Sequence, residues 1–561
     1  MSGCRSALRR GLIVTFFSVL ITILGTGTAS AHAQLEASDP PADSVLATAP
    51  RAVTLTFGEG VERADNSIQV FDDHIKRVDL HTVTFVKSSH DRIRVALPAG
   101  MAVGSYVVSW HVASADTHPV SGTFRFSIGA PSKVTGTVPG AGRNDAAGLL
   151  LGGVRGIGYG GLVLGPGVLL VLLALWPAGL ADRRARRLLY TGAGLLAVSA
   201  LGGIVLEGVW SSSRPLSSIW SAPSTLDTHS QRFDTLYALR FYLLVLFGAV
   251  LVAATSRRTK TSTGVRRAVL ATTALSTLAL LVTWSLAGHA AAGVQPPLAL
   301  TADLAHLLAM SVWLGGLALL LFVLRPAERA ADLAALLPRF SQVAFACVTV
   351  LVVSGTYQTW REVGTLPALT ATTFGKVLLV KLVGVVALLA LGNLARRWVQ
   401  RNLVKPSADR PDAGQTQLLR RGLAVEFGVA AAVLGLTAAL VVTIPGREGF
   451  IRKFTRTLDA QSLTVKLKVD SPRTGDTVLH LSALGPTGRP MPIMGLTGSL
   501  SQKQAGLGPL PLRISSAGGV APSGVEKVGL TFPRRGDWTL QFTVQTSALD
   551  ATSFSVTIGV T

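Results

Sequence analysis

The sequence predicts a multidomain membrane protein: an N-terminal β-sandwich, an eight-helix transmembrane α-bundle and a C-terminal β-sandwich. Three observations predict it. Of the 561 residues, 49% are apolar and only 15% charged, the composition of a membrane protein. Between 146 and 445 the apolar residues gather into eight runs, 147–177, 190–210, 235–255, 267–287, 300–324, 341–360, 374–395 and 422–444. Each meets the ~20 residues that a helix rising 1.5 Å per residue needs to cross a hydrocarbon core. On either side of these runs, short stretches alternate apolar and polar residues, the period of a half-buried strand.

In chain order, residues 1–31 have a basic start (Arg5, Arg9, Arg10), an apolar stretch and Ala29-Ser-Ala31, the pattern of a cleaved signal peptide. Cleavage after Ala31 would make His32 the first residue of the mature chain, whereas cleavage after Ala33 competes and would remove it. Residues 32–130 carry strands at 53–57, 67–71, 92–97 and 104–110, and about 100 residues of short strands suggest a sandwich. Residues 131–145, rich in Gly, Pro, Ser and Thr, read as a linker to the membrane domain, 146–445. The tail, 446–561, returns to strands at 462–469, 478–482, 538–544 and 553–558.

The net charge of +22 is not concentrated on one domain, which argues against nucleic acid as a partner. Nineteen Lys and Arg residues fall in the loops after the first, third, fifth and seventh spans, against three (Arg214, Arg232 and Arg361) in the alternate loops. Cationic loops stay in the cytoplasm, so both β-domains are expected outside it. Cysteine is confined to Cys4, in the leader, and Cys347, in a span and expected to be packing. Neither an intrachain disulfide nor a thiolate cluster is available, so a metal site must draw on His, Met, carboxylate or a terminal amine.

One such set stands out in the first domain. The stretch 109–126 reads as two strands joined by a loop that carries Asp116 and His118 two residues apart. A mature N-terminal His32 would add an amine and an imidazole, completing an N3O set that suits tetragonal Cu(II). The plainer reading is a surface histidine beside a turn aspartate. His111, alternating with Trp110 on a strand, is expected to be structural, and His74, His81 and His90 to lie on the surface.

In the bundle, His289 ends the fourth span, and Asp303, His306 and Met310 follow at i, i+3 and i+7 on the fifth. That spacing puts a carboxylate, an imidazole and a thioether on one helical face; the imidazole and thioether suit Cu(I) along a pathway, and Asp303 at the mouth is placed to attract the cation. The competing reading is helix packing, with histidine hydrogen bonds and methionine as filler. Arg155, Arg240, Lys376, Lys381 and Glu426 also fall within spans. Arg240 and Lys376 are expected to snorkel to an outer end, and Lys381 and Glu426 to form a buried ion pair between the last two spans. Met491 and Met494, spaced M-x-x-M in the tail, are either a Cu(I) pair or ordinary core.

Two groups of stretches resemble a known family. His32-Ala-Gln-Leu-Glu-Ala-Ser-Asp-Pro-Pro41 and Ser114-Ala-Asp-Thr-His-Pro-Val-Ser-Gly122 are similar to the periplasmic copper-binding protein CopC. Gly288-His-Ala290, the run from Asp303-Leu-Ala-His306 to Trp313-Leu-Gly-Gly316, and Phe374-Gly-Lys-Val-Leu-Leu-Val-Lys381 resemble its membrane partner CopD. Over 32–445 the chain resembles fused CopC–CopD proteins of Gram-positive bacteria; the tail resembles YtkA-like β-domains more weakly. The resemblance implies a Cu(II) site made by the amine and imidazole of His32 with Asp116 and His118, and it favours cleavage after Ala31. It also implies that the first domain, whose one methionine is Met101, lacks the methionine-rich Cu(I) site of some CopC proteins.

The implied function is copper binding and transport across the cytoplasmic membrane, inward by analogy, with copper ions and the lipid bilayer as partners and copper the only cofactor. The alternatives are a copper sequestration, resistance or sensing module anchored by the bundle, and a copper- or haem-dependent redox enzyme. Neither a nucleotide-binding loop nor a phosphorylated-aspartate motif is visible, and the chain is not expected to be an enzyme.

Overall fold

The computed structural model describes residues 35–560, apart from 43, 63–66, 87–88, 115–118, 133, 136–144, 212–215, 221–230, 257–258, 260–261, 292–294, 324–325, 402–412, 451–453, 461–462, 515–520, 522 and 548–549. Residues 1–31, expected as a signal peptide, and most of the expected linker therefore lie outside the described residues. The helical bundle forms one compact unit, and the two β-domains together form the other.

Among the described residues the first domain has nine strands: β1 Leu35–Asp39, β2 Val45–Leu46, β3 Ala52–Phe57, β4 Val61–Glu62, β5 Ile68–Phe71, β6 Val83–Val86, β7 Ser89–Ala96, β8 Gly104–Ser114 and β9 Pro119–Ile128. They make two sheets, β1-β3-β7-β6 and β2-β9-β8-β4, with β5 also paired to β8. Alternation explains the layering. In β3, Val53, Leu55 and Phe57 are buried while the residues between them are half exposed. These side chains meet Val108, Trp110 and Phe126 from the other sheet in one core. The β8–β9 hairpin sets the register, from Gly104↔Ile128 to Ala113↔Pro119. Opposite Trp110 stands Gly122, where a Cβ would lie 2.7 Å from the indole; its absence lets the ring lie flat and meet Phe57 edge-on at 5.4 Å. Met101 packs against this core.

Eight long apolar helices follow among the described residues: α1 Ala146–Leu175, α2 Arg183–Trp210, α3 Thr235–Thr255, α4 Thr263–Leu286, α5 Pro296–Phe322, α6 Ala335–Val363, α7 Thr373–Val399 and α8 Arg420–Val441. The chain is a multi-pass membrane protein by the length and apolarity of these spans. A π-helical segment, Val163–Gly167, interrupts α1 at Pro166, which has no N–H to give the preceding turn. That segment packs on α5 backbone to backbone: a Cβ on Gly315 would lie 2.6 Å from the Gly167 carbonyl carbon. The next glycine, Gly316, makes room for the Phe340 ring of α6. The adjacent glycines of the fifth span are thus a packing requirement.

The tail has strands β10 Phe454–Ala460, β11 Leu463–Val469, β12 Gly475–Leu484, β13 Gly495–Gln502, β14 Leu507–Pro511, β15 Arg513–Ile514, β16 Val525–Phe532, β17 Gly536–Gln545 and β18 Ala551–Val560. Their sheets, β10-β11-β12-β16-β15 and β14-β13-β17-β18, enclose a core around the fully buried Trp538. An ion pair joins the two β-domains, with Arg535 Nη1 2.8 Å from Glu36 Oε1.

Candidate metal centre

His32, Asp116 and His118 lie outside the described residues. The strands that flank them are described. β1 begins three residues after His32, and Leu35 pairs with Phe57 at the end of β3. The short connection from Phe57 leads to Val61, which pairs with Ser114, the last residue before 115–118. The start of β1 and the end of the β8–β9 hairpin therefore share one end of the sandwich, and three extended residues span at most ~10 Å. His111 sits on β8 with its N–H donating to the Ser67 carbonyl. His74 is exposed and paired with Asp73 at 2.8 Å in a turn where Asp72 accepts from the His74 and Lys76 N–H groups, an ordinary surface arrangement.

The bundle encloses a cavity of about 540 Å³. His289, Asp303, His306 and Met310 all line it, together with Lys381 from α7. His306 stands ten residues into α5, ~15 Å along the helix axis. Its Nδ1 is 2.9 Å from Ser354 Oγ on α6, and that hydroxyl donates to the Val350 carbonyl at 2.6 Å. With the hydroxyl proton on that carbonyl, Ser354 is left to accept from Nδ1–H. In that arrangement the imidazole is held in the tautomer whose Nε2 carries the lone pair, the form a metal requires. Gly355 gives the ring space: a Cβ there would stand 3.4 Å from Cε1. Asp303 accepts from Ser285 Oγ at 2.6 Å and from Gln358 Nε2 at 3.3 Å. Met310 is buried among core side chains and also faces the cavity.

Several polar partners were not legible in the sequence. Ser285, Ser354 and Gln358 are common residues 18 to 55 positions from their partners. Glu207, which pairs with Arg155 at 3.1 Å, had a signal, since an acidic residue inside a span needs a counter-charge.

Three expectations are corrected. Arg240 does not snorkel. It is 3% exposed, donating to the Thr283 side chain at 3.1 Å and carbonyl at 2.9 Å, and stacked on the rings of Tyr237 and Trp284. Thr283 and the two rings hold the guanidinium inside the bundle, whereas Lys376 is exposed as expected. Lys381 and Glu426 do not pair. Glu426 lies beside Gly392, where a Cβ would be 3.6 Å from its Oε1, eleven residues and ~16 Å along α7 from Lys381. Met491 and Met494 are turned apart: Met491 packs on the tail's core, Ile493 is fully buried, and Met494 is 53% exposed. Side chains three apart on an extended chain face opposite sides. Cys347 packs against the bundle core.

With this geometry in hand, the chain can be set beside known proteins. The family model of the CopC domain matches residues 35–129, and that of Copper resistance protein D, CopD, matches 334–440. Both stand in one polypeptide. The chain is a CopC–CopD fusion. It is 27% identical over 479 residues to the Copper transport protein CutJ of Bacillus subtilis, covering 83% of this chain and 84% of that one. Its CopC part is 32% identical to Protein YobA of Escherichia coli K12 over 113 residues, 20% of this chain and 90% of the relative. Among solved structures, CopC from Methylosinus trichosporium OB3b is 31% identical and wholly covered by 19% of this chain, with a TM-score of 0.16. The CopD match takes in α6, α7 and all but the last residue of α8, whereas His289, Asp303, His306 and Met310 precede it.

Proposed function

We propose that this fusion transports copper across the cytoplasmic membrane, with both β-domains outside and the direction inward. Cu(II) is captured by His32, Asp116 and His118 of the CopC domain and passes to the cavity in the bundle. The observation that carries this reading is the convergence of His289, Asp303, His306 and Met310 on one cavity within apolar helices. Imidazole and thioether are donors that suit Cu(I), and Asp303 attracts the cation. The end of the bundle at which α1, α3, α5 and α7 begin holds the cavity. By the distribution of basic loops this end faces outward. The relative from Bacillus subtilis, a copper transport protein by name, supports the substrate.

The test has two arms. The 32–130 domain with a native N-terminus, given one equivalent of Cu(II), should show a tetragonal, nitrogen-rich EPR signal that His32→Ala and His118→Ala both lose. Cells expressing the full chain should accumulate copper, and His306→Ala should abolish the gain. Loss of neither signal nor accumulation in these variants refutes the reading.

A further inference from the structure

The cavity that offers copper ligands is also cationic. Arg155, Arg240, Arg361 and Lys381 line it, against Asp303 and Glu362. Arg155 is neutralised by Glu207 at 3.1 Å and Arg361 by Glu362 at 2.6 Å. Asp303 takes its hydrogen bonds from neutral groups, Ser285 and Gln358. Arg240 is different. The residue is only 3% exposed, its contacts are Thr283 and the side chains of Tyr237 and Trp284, and the carboxylate that acts on it, Glu207, is the one already paired with Arg155. Arginine stays protonated, and two buried guanidiniums served by one carboxylate leave a positive charge that is costly to bury.

A second observation points the same way. The volume of about 540 Å³ far exceeds the ~30 Å³ that one water molecule occupies in the liquid, leaving room for an ion and a ligand together. With Glu207 counted, four cations stand against three carboxylates, a net positive lining that weakens the pull of Asp303 on a bare metal cation. We propose that the cavity binds a small copper-ligating anion, a halide or a simple carboxylate, against Arg240, and that copper occupies it as the complex with that anion. The anion supplies the second negative charge that Arg155 and Arg240 lack between them, and it completes the coordination of a metal held by His306. The inference rests on the copper reading of the same cavity and adds the chemical form of the cargo.

Trp284 provides the probe, because its ring lies 4.0 Å from the Arg240 guanidinium carbon. The full chain in detergent, carrying His32→Ala and His118→Ala to silence the outer site, is titrated with iodide without copper. Tryptophan quenching should saturate. Trp284→Phe should remove the saturating part, Arg240→Gln should abolish it, and Arg240→Lys should retain it with weaker affinity. Displacement of iodide by chloride or by acetate, whichever is at least tenfold more effective, distinguishes halide from carboxylate. Quenching that stays linear with iodide in the parent protein overturns the proposal without reliance on any variant. Copper affinity is then compared in chloride, acetate and nitrate. Equal affinity in all three, with dependence on His306, overturns the anion complex and leaves the copper reading intact. Saturable iodide binding with no effect of His306→Ala on copper supports the anion site and refutes the copper reading.

Discussion

Replacing Ser354 by alanine tests whether the bundle presents His306 to a metal in a fixed state. The hydroxyl accepts from Nδ1 at 2.9 Å when its own proton goes to the Val350 carbonyl at 2.6 Å. A neutral hydrogen bond is worth ~1 kcal/mol, about fivefold in an equilibrium constant. Without it the ring is free to carry its proton on either nitrogen, which removes about another factor of two from the metal-competent tautomer. Cu(I) affinity should therefore fall about tenfold, the low end of the range for groups that orient metal-bound histidines. The assay is competition with a chromogenic Cu(I) chelator, using detergent-solubilised protein with His32→Ala and His118→Ala. His306→Ala should lose far more than Ser354→Ala. Unchanged affinity in Ser354→Ala beside a large loss in His306→Ala would refute the tautomer argument. Unchanged affinity in both would remove His306 from the site.

Other outcomes follow from the packing and the charges. In the CopC domain, burial alone would raise the Asp79 carboxyl. Hydrogen bonds and the charge of Arg77, with the Val70 and His81 N–H groups, outweigh burial and hold it below the usual carboxylate range. A depressed carboxylate contributes stability that is present above its unfolded value of about 3.9 and lost as pH falls through the folded value. Urea unfolding should show that acid loss in the parent domain and a flatter acid limb in Asp79→Asn; Asp79→Ala should cost about 3 kcal/mol at neutral pH. In the bundle, Glu207→Gln leaves Arg155 buried without its counter-charge and should destabilise by about 3–5 kcal/mol, read as a lower melting temperature in detergent. Gly316→Ala places a methyl group into the Phe340 ring and should cost about 1–3 kcal/mol in the same assay, with Ala→Gly changes at exposed helix positions as controls.

The architecture was readable because its periods are local. Runs of about 20 apolar residues gave the eight helices, and alternation gave strands such as β3, β8, β11 and β17 within a few residues of their ends. Short strands such as β2 and β4 have too few residues to show a period. The face carrying Asp303, His306 and Met310 was legible because helical spacing alone places them together. What lay across from that face was not. The partnership of His306 with Ser354 depends on how α5 and α6 are offset, and nothing within either helix encodes that offset. The same holds for Glu426, whose depth against α7 is set by the stagger of the last two helices. Arg240 illustrates a different limit. Its side chain is long enough to reach water or the interior, and the choice was made by Thr283, Tyr237 and Trp284 on two helices. The two tail methionines failed as a pair because extended chain turns residues three apart to opposite sides.

The most direct test of copper passage through the bundle is flux into liposomes reconstituted with the full chain. Reduced copper is supplied outside, an impermeant chelator-based indicator is trapped inside, and the parent is compared with His306→Ala at equal incorporation. Saturable copper entry in the parent, reduced at least about tenfold in the variant, is the expected result, in line with the loss of a ligand that even indirect supports tune by that factor. Equal entry through both proteins, or none above protein-free liposomes in the parent, would contradict a copper route at His306.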